Sequence, residues 1–270
     1  MNFSWEIIFL LILLGFGVGI LKTIAGAGGG VFFVSFMVLF MSIPFDVARD
    51  TSIFVMVIGS LTAFTFYLKQ ERTNLKLVLI FSCFSILGSF LCWIFLLIYP
   101  INNEILKIIF SIAVFFTAAN MILKIFWDIK KNENVSKYCE AFEFDSEEIK
   151  KQLKIGVPFF ILAGFLAHLL GIGGGIINTP SCFLILGMPI HASTATSTGI
   201  IFFTAIFNVV LKILYGNINY FVGVCLALGA GLGAILGSKI SYKMPKTYLQ
   251  AFVAIVLIIL GLEMIISVKL

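Results

Sequence analysis

The sequence predicts an all-α integral membrane protein that is built from two copies of one unit. Hydrophobic residues make up 61% of its 270 residues and charged residues only 11%, whereas soluble domains carry about 25% charged residues. No Asp, Glu, Lys or Arg occurs at 155–211 or at 213–238. Because about 20 apolar residues cross a bilayer as a helix, these stretches alone supply several passes. The net charge of +5 comes from short loops between apolar runs, which indicates a lipid bilayer and not a nucleic acid as the partner.

A shift of the sequence by 145 residues aligns its two halves without a gap. Gly19 then aligns with Gly164, and residues 28–30 align with residues 173–175, all of them glycines. Further pairs at this offset are Pro44 with Pro189, Thr51 with Thr196, Ser52 with Ser197, Asn74 with Asn219, Gly88 with Gly233 and Pro100 with Pro245. Internal repeats of this kind are frequent among membrane transporters.

Each half divides into five apolar segments. We predict them at 5–25, 30–41, 45–68, 77–99 and 105–126, and at 155–170, 176–187, 190–215, 221–238 and 247–267. The second segment of each half has about 12 residues, which reach about 18 Å as a helix, whereas the hydrocarbon core is about 30 Å thick. We therefore expect helices that are broken at glycine clusters, with the short segment as a half-helix or a re-entrant arm.

The polarity of the chain predicts three parts. These are a first membrane repeat at 1–127, a cytoplasmic connector at 128–152 and a second membrane repeat at 153–270. The connector holds seven of the thirteen acidic residues, and we expect a short amphipathic helix near 145–152.

Basic residues concentrate in three connections and so predict the orientation of the halves. They lie at 69–76, in or beside the connector, and at 239–246, whereas the other loops are poor in them. Under the positive-inside rule these three connections are cytoplasmic. Loop 214–219, the counterpart of 69–76, then lies outside, so the two halves are inverted repeats. Inverted repeats place a transport site between the halves near the middle of the membrane.

The predicted substrate site begins at two glycine clusters. Each half has four glycines within five residues, namely Gly26, Gly28, Gly29 and Gly30, and Gly171, Gly173, Gly174 and Gly175. A continuous helix is unfavourable there, since each glycine costs about 1 kcal/mol relative to Ala. Where a half-helix begins after such a break, its free N–H groups and its dipole attract an anion. Close helix packing is the alternative interpretation, and we assign it to the regularly spaced Gly229, Gly233 and Gly237.

Hydroxyl and basic side chains lie beside both clusters. The remaining predicted substrate contacts are Thr51, Ser52, Thr196, Ser197, Lys22 and Arg49. Charges inside apolar segments are functional hypotheses, because they are costly in lipid. We expect charged side chains inside apolar segments in the first half alone. Arg49 there either balances the charge of the anion or is neutralised by Asp50. The hydroxyls either bind the anion or bond to their own backbone. His168 and His191 are candidate proton carriers.

At these residues the chain resembles the sulfite exporter TauE/SafE family of membrane permeases. The resemblance lies in 171–175, Pro180, Gly187 and 195–197, with a weaker match at 26–30 and 51–52. It implies the movement of small sulfur-containing anions such as sulfite or organosulfonates. The first half departs from the pattern, since Ser35 stands where the second half has Pro180.

The residues and the resemblance together predict a multi-pass permease of the cell membrane. We expect it to move sulfite, thiosulfate or an organosulfonate by alternating access, with a proton or a sodium ion as candidate coupling ion and without a cofactor. An anion channel of the same architecture and a membrane assembly factor without transport activity are the alternatives. We do not expect an enzyme, since the sequence has no HExxH, GxSxG or Cys/His cluster.

Overall fold

The computed structural model describes residues 5–25, 29–131, 146–243 and 246–266. In this part of the chain the regular structure is helical, and the elements are α1 (Trp5–Ala25), α2 (Gly30–Leu39), α3 (Phe45–Lys69), α4 (Leu75–Ile98), α5 (Asn103–Lys131), α6 (Ser146–Leu170), α7 (Gly175–Pro180), a π-helical segment (Ser181–Ile185) that continues α7, α8 (Ile190–Tyr215), α9 (Tyr220–Lys243) and α10 (Lys246–Ile266). Each predicted apolar segment corresponds to one of these helices, and the prediction of an all-α membrane protein is confirmed.

Five of the described helices are long and apolar enough to cross a membrane. They are formed by Trp5–Thr23, Phe45–Lys69, Leu75–Ile98, His191–Tyr215 and Tyr220–Ile240. The second helix of each half is short, as predicted. α2 has 10 residues and so reaches about 15 Å, and α7 has 6 residues before the π-helical segment. Pro180, which has no N–H to donate, lies where α7 changes to π-helical geometry.

The main interfaces of the bundle join one half of the chain to the other. α1 packs along α9, and its equivalent in the repeat, α6, packs along α4. α3 contacts α8, and α5 contacts α10, so each of these helices lies against its own equivalent. The two halves therefore form one interleaved bundle.

Glycines allow these helices to approach to backbone contact. A Cβ atom on Gly19 of α1 would lie 2.5 Å from the carbonyl oxygen of Ala230 in α9. At the equivalent place, a Cβ atom on Gly164 of α6 would overlap the carbonyl oxygen of Ser85 in α4. Because all four residues obey the offset of 145, the sequence repeat is also a repeat of packing. Gly233 likewise packs on the backbone of α1, which agrees with its predicted packing role.

α3 and α8 lie side by side and run antiparallel. Near the start of α3, Thr51 Oγ1 accepts a hydrogen bond of 2.9 Å from the backbone N–H of Asn219, just after α8. Near the start of α8, the hydroxyl of Thr196 lies 2.9 Å from that of Thr73, just after α3. Two equivalent helices that run in opposite directions are the arrangement that inverted repeats would produce. The orientation of the halves across the membrane stays a prediction.

The outer faces of the helices are apolar, and many polar side chains lie inside. Large hydrophobic side chains such as Phe9, Leu97 and Leu232 are more than half exposed. Six serine and threonine side chains of α3 and α8, by contrast, are fully buried, namely Thr51, Ser52, Ser60, Ser193, Thr196 and Ser197. In water such an apolar surface would favour aggregation, whereas in a bilayer it faces lipid.

The helices extend into the predicted connector from both sides. α5 continues to Lys131, and α6 begins at Ser146 and continues without a break to Leu170. The predicted short helix near 145–152 is therefore the first part of the long helix α6 and not a separate element. Residues 132–145 of the connector lie outside the described residues.

Candidate functional site

The first glycine cluster lies between α1 and α2. Gly29 is the residue before α2 and has a φ of 73°, in the left-handed region that favours glycine. A Cβ atom on Gly29 would lie 2.7 Å from Cδ of Lys22, so the lysine side chain lies directly against the break. Gly30 begins α2. Gly26 and Gly28, which we also predicted as substrate contacts, lie outside the described residues.

The second glycine cluster interrupts the helical structure between α6 and α7. Gly171, Gly173 and Gly174 have φ values of 71°, 80° and 71°, and Gly175 begins α7. Three left-handed residues within four positions are incompatible with an α-helix, which explains the break. The prediction of glycine-broken helices is confirmed.

The two breaks meet inside the bundle. A Cβ atom on Gly30 would overlap the carbonyl oxygen of Gly171 and would lie 2.7 Å from Cα of Ile172. The start of α2 and the end of α6 are therefore in backbone contact, although they are about 140 residues apart in sequence. Only glycine at position 30 permits this approach.

α3 packs against the second break through a serine that we predicted as a substrate contact. The hydroxyl of Ser52 lies 2.7 Å from the carbonyl oxygen of Gly171 and 2.9 Å from that of Arg49. A Cβ atom on Gly171 would come within 2.7 Å of the same Arg49 carbonyl oxygen. Ser52 therefore positions the break, in agreement with the alternative that these hydroxyls bond to backbone.

The other predicted hydroxyls divide into two kinds. Those of Thr51 and Thr196 bond to the loops that follow α8 and α3, at the two ends of the helix pair. The hydroxyl of Ser197, on the third turn of α8, is fully buried and has no hydrogen-bond partner among the described residues. Ser197 is thus the member of the set that is free to contact a ligand.

Lys22 is a buried lysine whose ammonium group has no carboxylate partner among the described residues. It is 3% exposed, and its Nζ lies 3.5 Å from the carbonyl oxygen of Met56 in α3. Among the described residues no carboxylate oxygen lies within 4.0 Å of this ammonium group. The side chain of Met56 lies at the second break, since a Cβ atom on Gly173 would meet its sulfur at 2.7 Å. The ammonium group also lies 3.3 Å from the position where a Cβ atom on Gly59 of α3 would be, so it is close to α3 beside Met56. A protonated ammonium group at such a buried position is costly unless an anion joins it.

Arg49, by contrast, belongs to a buried ion-pair cluster. Its Nε lies 2.8 Å from Oδ1 of Asp50, and Nζ of Lys212 lies 3.0 Å from the same oxygen. The backbone N–H of Asn217 donates to Oδ2 of Asp50 over 3.1 Å. Arg49 and Asp50 are thus paired, which was one of the two interpretations that the sequence left open.

Lys212 corrects our expectation that the buried charges belong to the first half alone. It is 6% exposed and joins the last turns of α8 to the start of α3. The sequence did contain a signal, because Lys212 is the one charged residue between positions 155 and 238. An isolated charge in so long an apolar stretch is expected to have a buried partner.

Two further buried polar residues link α6 to α8. Nδ1 of His168 lies 3.0 Å from Oδ1 of Asn208, and both side chains are almost completely buried. His168 therefore has a fixed hydrogen-bond partner, while His191 is half-buried near the start of α8. Asn208 was not predicted, since a single amide in an apolar helix carries no spacing signal.

Comparison with known proteins agrees with this architecture. A sequence model of the family described as "Sulfite exporter TauE/SafE" matches residues 11–264. The chain belongs to the sulfite exporter TauE/SafE family. The resemblance inferred from the glycine motifs is thus confirmed, and the match includes both glycine breaks.

Two relatives are similar to this chain along nearly their whole length. "Probable membrane transporter protein YunE" of Bacillus subtilis is 27% identical over 95% of this chain and 96% of its own length. "Probable membrane transporter protein MJ0441" of Methanocaldococcus jannaschii is 30% identical over 95% of this chain and 94% of its own length. No solved structure matches the chain. The TauE/SafE chain described here is a multi-pass membrane transporter, and the names of its family and relatives describe transporters and not enzymes.

Proposed function

We propose that this transporter moves a small sulfur-containing anion, such as sulfite, thiosulfate or an organosulfonate, across the cell membrane by alternating access. The observation that carries the proposal is the contact of the two glycine breaks at Gly30 and Gly171, with the buried side chain of Lys22 packed against the first break at Gly29. The printed description of the family, a sulfite exporter, supports the substrate class.

The breaks suit an anion because of the backbone groups that they expose. Gly29 and Gly174 precede α2 and α7, and neither helix start has a side-chain cap. The first N–H groups of a helix have no intrahelical acceptor and carry a partial positive charge. In an apolar surrounding these groups need a partner, and an oxyanion that lies between the breaks would provide several oxygens.

The charges then take different roles. Lys22 balances the bound anion, since it lies against Gly29 and has no carboxylate partner among the described residues. Because Arg49 is paired with Asp50, it contributes less than Lys22 to anion binding. Ser197, with its unpartnered hydroxyl, is the predicted hydroxyl contact.

Alternating access requires two closures that open in turn, and the α3–α8 pair has one at each end. At one end Asp50 holds Lys212 and the backbone of Asn217. At the other end the hydroxyls of Thr73 and Thr196 join the two helices. The two closures differ in chemistry, since one is an ion pair and the other consists of neutral hydroxyls.

Uptake into proteoliposomes tests the proposal. The purified protein should accumulate ³⁵S-labelled sulfite, thiosulfate or a sulfonate above the external concentration, driven by a proton or sodium gradient. Collapse of the driving gradient with an ionophore should abolish accumulation. Rapid equilibration that no gradient drives would indicate an anion channel. No protein-dependent flux of any of the three anions would contradict the proposed function and favour an assembly factor.

A further inference from the structure

Asn178 in α7 is a buried amide whose hydrogen-bonding groups are unused. Its side chain is fully buried, and neither Oδ1 nor Nδ2 has a hydrogen-bond partner among the described residues. Buried polar side chains in native proteins are hydrogen-bonded in the large majority of cases, because the unpaired group has lost its bonds to water. We therefore expect a ligand to bond to the donor and the acceptor of this amide.

The amide lies over the second glycine break. Its Nδ2 is 3.4 Å from the point where a Cβ atom of Gly174 would be. Gly174 follows Gly171, and Gly171 contacts the first break at Gly30. The free donor of Asn178 is therefore adjacent to the backbone that is proposed to hold the anion.

Packing of the fold does not require an amide at this position. The residue that aligns with Asn178 in the first half, at the offset of 145, is Phe33. Phe33 is buried in the main hydrophobic core on the equivalent short helix α2. An apolar side chain thus fills the equivalent position in the first half, and only the second half has an amide there.

We propose that Asn178 donates a hydrogen bond from Nδ2 to an oxygen of the transported anion and so helps to determine substrate specificity. This contact rests on the proposed function. The amide is neutral, so it selects by geometry and adds no charge to the site. Its Oδ1 remains available to accept from a proton-bearing group of the bound species.

The test measures binding by the full-length protein in lipid nanodiscs. Sulfite, thiosulfate and methanesulfonate are titrated calorimetrically against the wild type and the variants Asn178→Leu and Asn178→Asp. Ser85→Ala is the matched control, since it removes a buried and unpartnered hydroxyl at the α4–α6 contact, outside the glycine breaks. Asn178→Ala replaces the leucine variant if that variant does not fold.

We expect Asn178→Leu to weaken binding of the anion that the wild type prefers by roughly ten- to a hundredfold, because a hydrogen bond to a charged group is lost. Asn178→Asp should weaken it further through repulsion. The melting temperature of Asn178→Leu without anion should equal or exceed that of the wild type, since an unsatisfied buried group is removed. Ser85→Ala should keep wild-type affinity.

Three results would overturn the contact. Wild-type affinity in Asn178→Leu would show that the amide does not touch the anion. Weaker binding together with a lower melting temperature, in the leucine variant or in the alanine variant that replaces it, would assign the amide a structural role. Binding of none of the three anions by the wild type would overturn the proposed function itself, and the contact with it, whereas the first two results leave the proposed function intact.

Discussion

Replacement of Lys22 by methionine removes the buried charge and keeps the length and the apolar stem of the side chain. The side chain lies against Gly29 and ends near the carbonyl oxygen of Met56. Because no carboxylate pairs with the ammonium group among the described residues, the substitution leaves no orphaned anion behind. We therefore expect Lys22→Met to reach the membrane with unchanged or higher thermal stability.

The loss of affinity follows from the burial of this charge. At about 4 Å and an effective dielectric constant of about 20, an anion and a cation attract each other by about 4 kcal/mol. Desolvation of both groups offsets part of this attraction, and a charge-assisted hydrogen bond is worth about 1.5–3 kcal/mol net. Lys22→Met should therefore weaken substrate binding by roughly ten- to a hundredfold. Arg49→Gln should weaken it less, because Asp50 already neutralises much of the Arg49 charge.

Two measurements decide this prediction. Calorimetry on the purified protein gives the affinity for the anion, and uptake into proteoliposomes gives the apparent transport constant. Lys107→Met is the matched control, since Lys107 pairs with Glu104 over 3.0 Å near the start of α5. Wild-type affinity in Lys22→Met, or a larger loss in Arg49→Gln, would refute the assignment of the balancing charge to Lys22.

Three further predictions concern the glycines, the topology and the ion-pair cluster. Gly174→Leu should abolish transport, because a Cβ atom there would lie 2.7 Å from a carbonyl oxygen of α6 and φ is 71°. Gly17→Leu should keep transport, because a Cβ atom on Gly17 would meet nothing within 4 Å. Equal flux per protein by the two membrane-inserted variants would contradict the proposed role of the glycine breaks in substrate binding. Single cysteines that replace Arg72 and Asn102, in a background without native cysteines, should react with a membrane-impermeant reagent from opposite sides of the membrane. Labelling of both positions from the same side would contradict the inverted repeat. Asp50→Asn should lower the free energy of unfolding by about 3–5 kcal/mol, because it leaves the buried Arg49 and Lys212 without their carboxylate partner. An unchanged melting temperature would show that the ion-pair cluster does not stabilise the fold.

The sequence determined the helices and where they break, because these features depend on local chemistry. Apolar runs without charge specify membrane helices whatever lies next to them. Consecutive glycines break a helix through their own backbone preferences, and both α2 and α7 begin directly at such a cluster. The offset of 145 also anticipated the packing, since Gly19 and Gly164 make equivalent contacts in different helix pairs.

The tertiary structure alone decided which polar groups lie together. Lys212 and Asp50 are 162 positions apart, and no pattern along the chain joins them until α3 and α8 lie antiparallel. Among the described residues the amide of Asn178 has no hydrogen-bond partner and the ammonium group of Lys22 has no carboxylate partner, and this is likewise visible only in the packed structure. Local conformational preferences act over a few residues, whereas the partner of a buried charge or amide depends on helix packing across the whole bundle. For that reason the contacts of the site could be identified only from the tertiary structure.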